Sequence, residues 1–329
     1  MKVAFFVNDI ATEDSEFTTT RLAIAAAKRD HEVWYVGVGD VDYDPNEKLR
    51  ARGHRGDYKQ GDLKSFLDRV QDDEQQDSIV LDDFDAVWLR NDSIQDLQER
   101  PWATSMGVVF GQMLMDRGVT VVNDPVGLSR AGSKLYLQEF PPEIRPCCIV
   151  TRHLEEIRDF VARVGRTIVK PLYGAQGRNV FVIEDKDDPN LKQIVAAIRE
   201  DGYITAQEFV AGADEGDLRL FLLEGELMKV DKTYAAFKRV PRGTDVRANI
   251  STGGKPEDVQ ISDQELRIVE TMRDRLVKDG MFFVGIDVIG EKVVEINAES
   301  PGGMQSVEYF SGIDFGLTIC DALERRISH

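Results

Sequence analysis

The strongest constraint on the fold is an alternation of apolar strands with amphipathic helices in the first third of the chain. Residues 2–7 form an apolar run that ends at the polar Asn8, which is typical of a buried parallel strand that reaches a cleft. Residues 17–29 have one apolar side and predict a helix, and residues 32–37 predict a second strand. Because helical connections join neighbouring parallel strands, we expect a mostly parallel sheet in this region.

A long acidic segment, residues 40–83, interrupts the alternation. Within it, residues 71–77 are all acids and glutamines, so we expect a solvated excursion from the sheet. The alternation then resumes with a strand at 85–90, a helix at 103–117 and a strand at 119–123. These elements complete the predicted parallel sheet.

The rest of the chain shows a different pattern, in which strands come in pairs. At 329 residues the chain is longer than one hydrophobic core usually serves, about 250–300 residues, so we expect two or three packed lobes. The remaining predicted elements are strands at 145–150, 167–170, 179–183, 203–210, 217–223 and 226–231, helices at 153–164, 189–200 and 261–279, and a strand pair at 282–297.

Composition limits the partners. Lysine and arginine total 41 against 59 acids, a formal charge of -18, which argues against a nucleic-acid partner and against anionic membrane surfaces. No apolar run approaches the roughly 18–20 residues of a membrane span. Three cysteines, with Cys147 next to Cys148, cannot form a disulfide framework, so we expect a reducing, cytoplasmic location.

The clearest sign of a functional site is the strand pair at 282–297, in which Asp287, Glu295 and Asn297 interrupt apolar runs. Buried carboxylates need partners. A three-residue turn at 290–292 would place Asp287 directly across from Glu295, with Asn297 on the same face. These oxygens would then form a ligand set for magnesium, with positions left for phosphate oxygens.

Two other arrangements of this strand pair stay open. A two-residue turn would send Asp287 and Glu295 to opposite faces of the sheet. The acids could also lie on a half-exposed face or pair with arginines.

A second feature is the segment that follows the predicted strand ending in Lys170. Gly174 and Gly177 allow a loop whose N–H groups turn inward around phosphate oxygens. The loop lacks the Gly-Lys-Ser/Thr ending of a P-loop, and an ordinary hairpin turn fits it equally well.

A third feature combines the strand at 203–210 with the acidic turn after it. Backbone groups near Gln207 and Glu208 could meet an adenine edge, and Asp217 could take a ribose hydroxyl. Arg219 faces the same side, two residues on. An ordinary acidic turn is the alternative interpretation.

A fourth feature is a basic, glycine-containing stretch over residues 237–254 in an otherwise acidic chain. It predicts a mobile, positively charged loop. Its alternative is a surface loop with solvated cations. The cations are Lys238, Arg239, Arg242 and Arg247.

In this order, the four features resemble ATP-grasp ligases, and most closely the bacterial glutathione synthetase family. The resemblance covers nearly the whole chain. Its most specific segments are Val169–Leu172, Arg239–Gly243, Arg247–Asn249, Val284–Asp287 and Val294–Asn297. It implies an α/β fold with α+β lobes, in which an N-terminal parallel-sheet lobe (1–123) precedes two antiparallel-sheet lobes (124–205 and 206–329) that hold ATP between them.

The resemblance also implies roles for individual residues. The implied ATP-binding residues are Lys134, Lys170, Gly174, Gln176, Gly177, Gln207, Glu208, Val210 and Asp217. The implied ligands of two magnesium ions, which manganese could replace, are Asp287, Glu295 and Asn297. The implied catalytic residues, facing the reacting carboxylate and the transferred phosphoryl group, are Arg219, Arg239 and Arg247. The implied substrate-binding residues are Arg90, Asn249, Ser300, Gly302 and Gly303.

The implied activity is ATP-dependent amide formation through an acyl phosphate, joining glycine to γ-glutamylcysteine. The substrates would be small-molecule or short-peptide carboxylates and amines, and a homo-oligomer would fit the family. Two alternatives stay open: a ligase of this type with another substrate, and a non-catalytic ATP-binding regulator. The family's Val-Thr-Ser-Pro near the acceptor is replaced here by residues 298–301, Ala-Glu-Ser-Pro.

Overall fold

The computed structural model describes residues 1–58, 63–97, 99–174, 178–241 and 254–328. Its first lobe is a mixed sheet flanked by helices. In the described part of the chain, the strands are β1 (Lys2–Val7), β2 (Glu32–Tyr43), β3 (Leu49–Arg55), β4 (Gln76–Val80), β5 (Ala86–Leu89) and β6 (Thr120–Val122). The helices are α1 (Thr18–Lys28), α2 (Leu63–Val70), α3 (Ser93–Asp96), α4 (Met106–Met115) and α5 (Pro125–Ala131).

The strands lie in the order β4-β3-β2-β1-β5-β6. β1 pairs in parallel with β2 and β5, and β5 pairs in parallel with β6, which confirms the predicted parallel sheet. The polar loop after β1 and the loop after β5 therefore meet at one edge, because the carboxyl ends of parallel strands coincide.

The acidic segment over residues 40–83, which was predicted to interrupt the alternation, contributes two strands to the sheet. β3 and β4 add to the sheet in antiparallel pairing, and α2 lies between them in the chain. Leu49, Ala51 and Ile79 are buried. The composition did not reveal these strands, because a strand with only one buried face needs few apolar residues. Residues 74–77 are exposed, as expected.

The second lobe has an antiparallel sheet in the order β7-β10-β8-β9. Its elements are β7 (Cys148–Thr151), α6 (Leu154–Val164), β8 (Thr167–Pro171), β9 (Phe181–Ile183), α7 (Leu191–Glu200) and β10 (Ile204–Glu208). The buried cluster between this sheet and its helices draws only on residues of this lobe, among them Phe160, Val169 and Ile198. The predicted boundary at 205 falls inside β10, and the lobe boundaries stay a prediction.

The third lobe carries a second antiparallel sheet. Its strands in the described residues are β11 (Asp217–Leu223), β12 (Glu226–Leu227), β13 (Lys229–Val230), β14 (Thr233–Tyr234), β15 (Ala236–Val240), β16 (Lys255–Glu257), β17 (Phe283–Ile289) and β18 (Lys292–Asn297). The sheet order is β16-β15-β11-β17-β18, with β12 beside β11, while β13 and β14 form a separate hairpin. The strand predicted at 226–231 is therefore two short strands.

Three helices complete this lobe: α8 (Asp263–Lys278), α9 (Met304–Ser311) and α10 (Phe315–Ile327). α8 begins at a capping box formed by Ser262 and Glu265, which satisfies N–H groups of its first turn. The basic loop predicted over 237–254 starts later than expected, because β15 continues to Val240. Residues 242–253 lie outside the described residues.

The first and third lobes share a core, whereas the second lobe has its own. Trp88 of β5 stacks on Phe5 of β1 at 5.8 Å between ring centroids, and its ring meets Phe282 edge-on at 5.6 Å. Arg29, after α1, forms an ion pair with Glu324 of α10 at 2.6 Å. The first and third lobes thus form one support for residues at their junction. Within the described residues, no helix has both the length and the apolar composition to cross a membrane.

Candidate active site

The β17–β18 hairpin carries the residues that the sequence singled out first. Its turn has two residues, Gly290 and Glu291, because Ile289 pairs with Lys292, so the predicted three-residue turn is wrong. A bulge between Asp287 and Val288 shifts the register by one residue, so that Asp287 still pairs with Glu295. Asp287 and Glu295 therefore face each other as predicted, but the cause is the bulge and not a three-residue turn.

Asp287 is held by two arginines. Arg219 donates from Nε to Oδ1 at 2.5 Å and from Nη2 to Oδ2 at 3.0 Å, and Arg239 Nη2 lies 2.7 Å from Oδ2. The Asp287 side chain is only 1% exposed. Burial alone would raise its pKa, but the charges of Arg219 and Arg239 outweigh burial and hold the pKa below its usual range. The carboxylate is therefore ionised at neutral pH.

The ion pairs extend to Asp217 on β11, which pairs across the sheet with Arg239 on β15. Arg239 Nε donates to Asp217 Oδ1 at 2.6 Å, and Nη2 donates to Oδ2 at 2.9 Å. Burial raises the pKa of Asp217 to about 6, and repulsion from Asp287 adds to this. Asp217, Arg239, Arg219 and Asp287 thus form one buried ion-pair network on one face of the sheet.

Glu295 and Asn297 occupy the same face beside this network. Glu295 is one-third exposed, and its Oε1 lies 3.9 Å from Lys134 Nζ. Asn297 Nδ2 donates to Asp287 Oδ2 at 3.3 Å. Of the alternatives open from the sequence, pairing with arginines holds for Asp287, whereas Glu295 has no arginine partner among the described residues.

This donor set suits a hard divalent cation. It contains two carboxylates and one amide oxygen, the ligand types that magnesium prefers. Clusters of three or more His, Cys, Asp or Glu suitable for a metal are absent from the described residues, so a site here would depend on the Asn297 amide. Asp287 would also have to share its oxygens with the two arginines.

Two lysines approach this face from outside the sheet. Lys134 Nζ donates to the Gly174 carbonyl, which fixes the start of the glycine loop near Glu295. Lys170, at the end of β8, is buried, and burial lowers its pKa to about 8; the charge of Lys134 also lowers it, against an opposing effect of Glu295. Gln176 and Gly177 lie outside the described residues.

The predicted adenine residues lie along the end of β10. Gln207 is 6% exposed. Glu208 is bound to the neighbouring edge strand, since its N–H donates to the Cys147 carbonyl at 2.9 Å and its Oε2 accepts from the Cys147 N–H at 3.2 Å. Val210 follows β10, and its carbonyl accepts from Ala213 at 3.1 Å.

A cleft of about 470 Å³ joins most of these residues. The predicted residues that line it are Arg90, Lys134, Gly174, Gln207, Arg219, Arg239, Glu295, Asn297, Ser300, Gly302 and Gly303. Those that do not line it are Lys170, Glu208, Val210, Asp217 and Asp287. Arg247 and Asn249 lie outside the described residues. We call the part lined by Lys134, Arg219 and Arg239 the cationic end.

Backbone groups close the cleft beside Arg219. Arg219 Nη1 donates to the Gly302 carbonyl at 3.0 Å. Gly303 has φ +106°, and a Cβ there would lie 2.8 Å from the Phe237 ring, so only glycine fits before α9. The segment after β18 is therefore drawn tightly over the sheet.

We call the part of the cleft lined by first-lobe residues the N-terminal end; these residues include Glu13, Thr19, Arg90 and Asp92. Sequence reasoning missed Glu13. The signal for it was the polar loop after β1, because loops at the carboxyl ends of parallel strands line clefts.

Glu299 also lines the cleft and was not predicted as a site residue. Its two oxygens accept from the Ser93 N–H at 2.8 Å and from the Ser93 hydroxyl at 2.8 and 2.9 Å. Burial raises its pKa to about 7, and the charge of Asp92 adds to this. The sequence signal that could have identified Glu299 was its position two residues after Asn297.

Comparison with known proteins adds independent findings. Models of the prokaryotic glutathione synthetase N-terminal domain and ATP-grasp domain match residues 1–129 and 133–312. The glutathione synthetase of Gloeobacter violaceus is 33% identical over 98% of this chain and 96% of its own length. That of Vibrio cholerae is 31% identical over 99% and 98%. D-cycloserine synthetase DcsG shares the fold, with a TM-score of 0.66 over 99% of both chains at 14% identity.

Fold and matches together define an ATP-grasp ligase, an ATP-dependent enzyme that forms amide bonds. The chain belongs to the prokaryotic glutathione synthetase family. The family, the ATP-grasp fold and the ligase class predicted from the sequence are therefore confirmed. This family uses ATP and a divalent metal.

Proposed function

We propose that this enzyme joins glycine to γ-glutamylcysteine, with ATP converted to ADP and phosphate. The observation that carries the proposal is the meeting, in one cleft, of Glu295, which pairs across the hairpin with the buried Asp287, with cations from separate elements. Lys134 approaches from one side, and Arg219 and Arg239 approach along the sheet. The family membership and the names of the relatives support the substrates.

In this proposal, the γ-phosphoryl group moves from ATP to the carboxylate of the dipeptide and leaves ADP. The amine of glycine then attacks the acyl phosphate, forms the amide, releases phosphate and loses a proton. Such a transfer depends on positioning and on neutralising charge more than on a protein nucleophile. A cleft rich in arginine and lysine suits that requirement.

We propose the following division of work at the cationic end. Lys134 and Lys170 would hold phosphates, Gln207 would meet the adenine, and Asp217 the ribose. Arg219 and Arg239 would turn from Asp287 toward the transferred phosphoryl group. Their present pairing with Asp287 keeps them extended along this face and limits the reorganisation that turnover requires.

For the divalent metal, we propose two magnesium ions, replaceable by manganese, held by Asp287, Glu295 and Asn297. Bound there, the metal would supply positive charge against the phosphate oxygens. Glu295 and Asn297 line the cleft, whereas Asp287 lies beneath them. Asp287 would also neutralise the arginines whenever the site holds no nucleotide.

The second lobe is the element best suited to close over ATP. Its core is separate from the shared core of the other two lobes, so it can rotate without breaking their packing. It carries Gly174 and Gln207, which line the cleft, and Lys170, whose charge interacts with that of Glu295. Closure would exclude water and protect the acyl phosphate from hydrolysis.

The test is ADP release from purified enzyme with ATP, magnesium, γ-glutamylcysteine and glycine, beside a panel of other carboxylates and amines. We expect the highest kcat/KM with γ-glutamylcysteine and glycine and a product with the mass of glutathione. ADP release with another pair at higher kcat/KM would reject glutathione formation while keeping the ligase class.

One observation favours a second candidate, a peptide or amino-acid ligase of this type with a different acceptor. Glu299 lines the cleft at the position where the family has a neutral threonine near the acceptor. A carboxylate there would favour an acceptor with a second cationic group over glycine. The same panel, extended with diamines and basic amino acids, decides between the two.

We also propose that the enzyme acts in the cytoplasm, where ATP is available and thiols stay reduced. Cys147, Cys148 and Cys320 are free thiols, which suits that compartment. A homo-oligomer stays a prediction from the family.

A further inference from the structure

Arg90 is a buried cation whose charge is incompletely matched. Its side chain lines the N-terminal end of the cleft although the residue is only 3% exposed. Nε donates to the Thr19 hydroxyl at 3.1 Å and Nη2 to the Pro301 carbonyl at 3.2 Å, both neutral acceptors. Within the described residues, Nη1 is buried and has no hydrogen-bond partner.

Glu13 is the complementary case at the same end. It lines the cleft, and its Oε2 is buried without a hydrogen-bond partner among the described residues. Gln71 holds the backbone of this loop, donating from Nε2 to the Glu13 carbonyl at 2.8 Å. Glu13 therefore lies on a loop whose backbone is fixed, and within the described residues its Oε2 atom accepts no hydrogen bond.

The two charges attract each other but do not join. Arg90 is the largest favourable influence on the Glu13 carboxylate, and burial still raises the pKa of Glu13 to about 7. In the described part of the chain, neither side chain forms an ion pair within 4.0 Å. A buried cation and a buried anion that stop short of each other leave room for a ligand that carries both opposite charges.

We propose that Glu13 and Arg90 bind the zwitterionic amino-acid end of the carboxylate donor, with Glu13 accepting from its ammonium group and Arg90 donating to its α-carboxylate. This deepens the proposed function and rests on it. A γ-glutamyl dipeptide keeps a free α-amino and a free α-carboxylate group at the end remote from the reacting carboxylate. The N-terminal end is lined by residues of the first lobe, a different set from the cations proposed to bind phosphate.

The experiment measures binding by titration calorimetry with three donors, in the presence of magnesium and a non-hydrolysable ATP analogue. The donors are γ-glutamylcysteine, glutarylcysteine, which lacks the α-amino group, and 4-aminobutyrylcysteine, which lacks the α-carboxylate. We expect the wild type to bind γ-glutamylcysteine about 10- to 100-fold more tightly than either analogue, the range of charge-assisted hydrogen bonds to a buried partner.

Glu13→Gln should remove the preference over glutarylcysteine and keep the preference over 4-aminobutyrylcysteine. Arg90→Lys should do the reverse, and because it keeps the buried charge it disturbs the fold little. A structural role alone would weaken all three donors equally. The control is Glu74→Gln, which makes the same change of charge on an exposed side chain that does not line the cleft, and it should change every affinity less than about twofold because solvent screens it.

Wild-type affinities within threefold of one another would overturn the subsite, and so would a Glu13→Gln variant that weakens all donors alike. Loss of donor preference in Glu74→Gln would also overturn it, since the general negative charge of the protein would then be responsible. These readouts do not depend on turnover. Selective binding without ADP release would reject the proposed function and leave the subsite standing, whereas ADP release without selectivity would do the opposite.

Discussion

The two ends of the cleft handle buried charge in different ways. At the cationic end, Arg219 and Arg239 share Asp287, and Arg239 also pairs with Asp217, so charges are matched within the protein. At the N-terminal end, Arg90 and Glu13 each keep a buried atom without a partner among the described residues. Both ends belong to the same pair of packed lobes, so lobe architecture does not explain the difference.

The difference shows which end must rearrange on binding. A matched network is stable without ligand, and a phosphate or metal must displace existing ion pairs to enter it. Unmatched charges need no displacement, and a ligand with complementary charges recovers their desolvation. We therefore expect changes at the cationic end to affect turnover most, and changes at the N-terminal end to affect donor affinity.

The largest expected effect comes from Asp287→Asn. The substitution removes a proposed metal ligand and the anion that matches two buried arginines. We expect ADP release to fall at least about 1000-fold, because both the metal contact and the arrangement of the arginines are lost. Steady-state ADP release checks this, and turnover within tenfold of wild type would remove Asp287 from the proposed metal site.

Asp279→Asn is the matched control for Asp287→Asn. Asp279 is also buried and held by two arginines, Arg275 at 2.5 Å and Arg130 at 3.1 Å, but it lies outside the proposed machinery. It should lower the free energy of unfolding by about 3–5 kcal/mol, since it breaks a buried pair, with kcat close to wild type. Equal losses of kcat in both variants would attribute the effect to folding.

A smaller effect is expected from Arg219→Gln. The glutamine cannot reproduce the paired hydrogen bonds to Asp287 or stabilise a transferred phosphoryl group. We expect kcat to fall about 100-fold while KM for ATP rises less than tenfold, the pattern of an interaction used in the transition state. Arg273→Gln, which breaks an exposed ion pair with Glu226 at 2.8 Å, should leave both parameters unchanged. Equal losses in kcat and in ATP affinity would indicate uniform binding.

The smallest effect is a pH dependence at Lys170. Burial lowers its pKa to about 8, so the ammonium is charged below that pH and neutral above it. ATP affinity should be constant below about pH 8 and then weaken by at most tenfold per pH unit, because ATP must recruit the missing proton. Calorimetric titration with ATP at pH 7 to 9.5 checks this. Lys170→Met should bind weakly with a flat profile; a wild-type slope retained in that variant would assign the titration to another group.

Much of the fold was predictable because many segments of the sequence show the hydrophobic pattern of their own helix or strand. The strand after Met1, the helix α8 and the two strands of the β17–β18 hairpin appear as period and composition. The strands β3 and β4 do not, because their solvated faces carry charges and polar residues that are typical of a loop. A strand that buries only one face gives a weaker signal than a buried one.

The candidate site was predictable where its residues are neighbours in sequence. Asp287 and Glu295 were expected to face each other, but the reason given was a longer turn, since a bulge leaves no mark in composition. Glu13 and Arg90 line the same end of the cleft only because β1 and β5 are adjacent in the sheet. The proximity of two such residues depends on the order of strands in the sheet, and no local sequence pattern predicts it.

Asn123 has a consequence for engineering this enzyme. Its buried side chain accepts from the Phe283 N–H at 2.8 Å and donates to the carbonyls of Phe283 at 2.9 Å and Ala298 at 2.6 Å. The Asn123 amide thereby links the segment after β6 to Phe283, where β17 begins, and to Ala298, directly after β18. Chimeras that exchange the first lobe between relatives therefore have to keep this asparagine. Without it, buried peptide groups of Phe283 and Ala298 would lose their hydrogen bonds, and the β17–β18 hairpin would lose a contact with the first lobe.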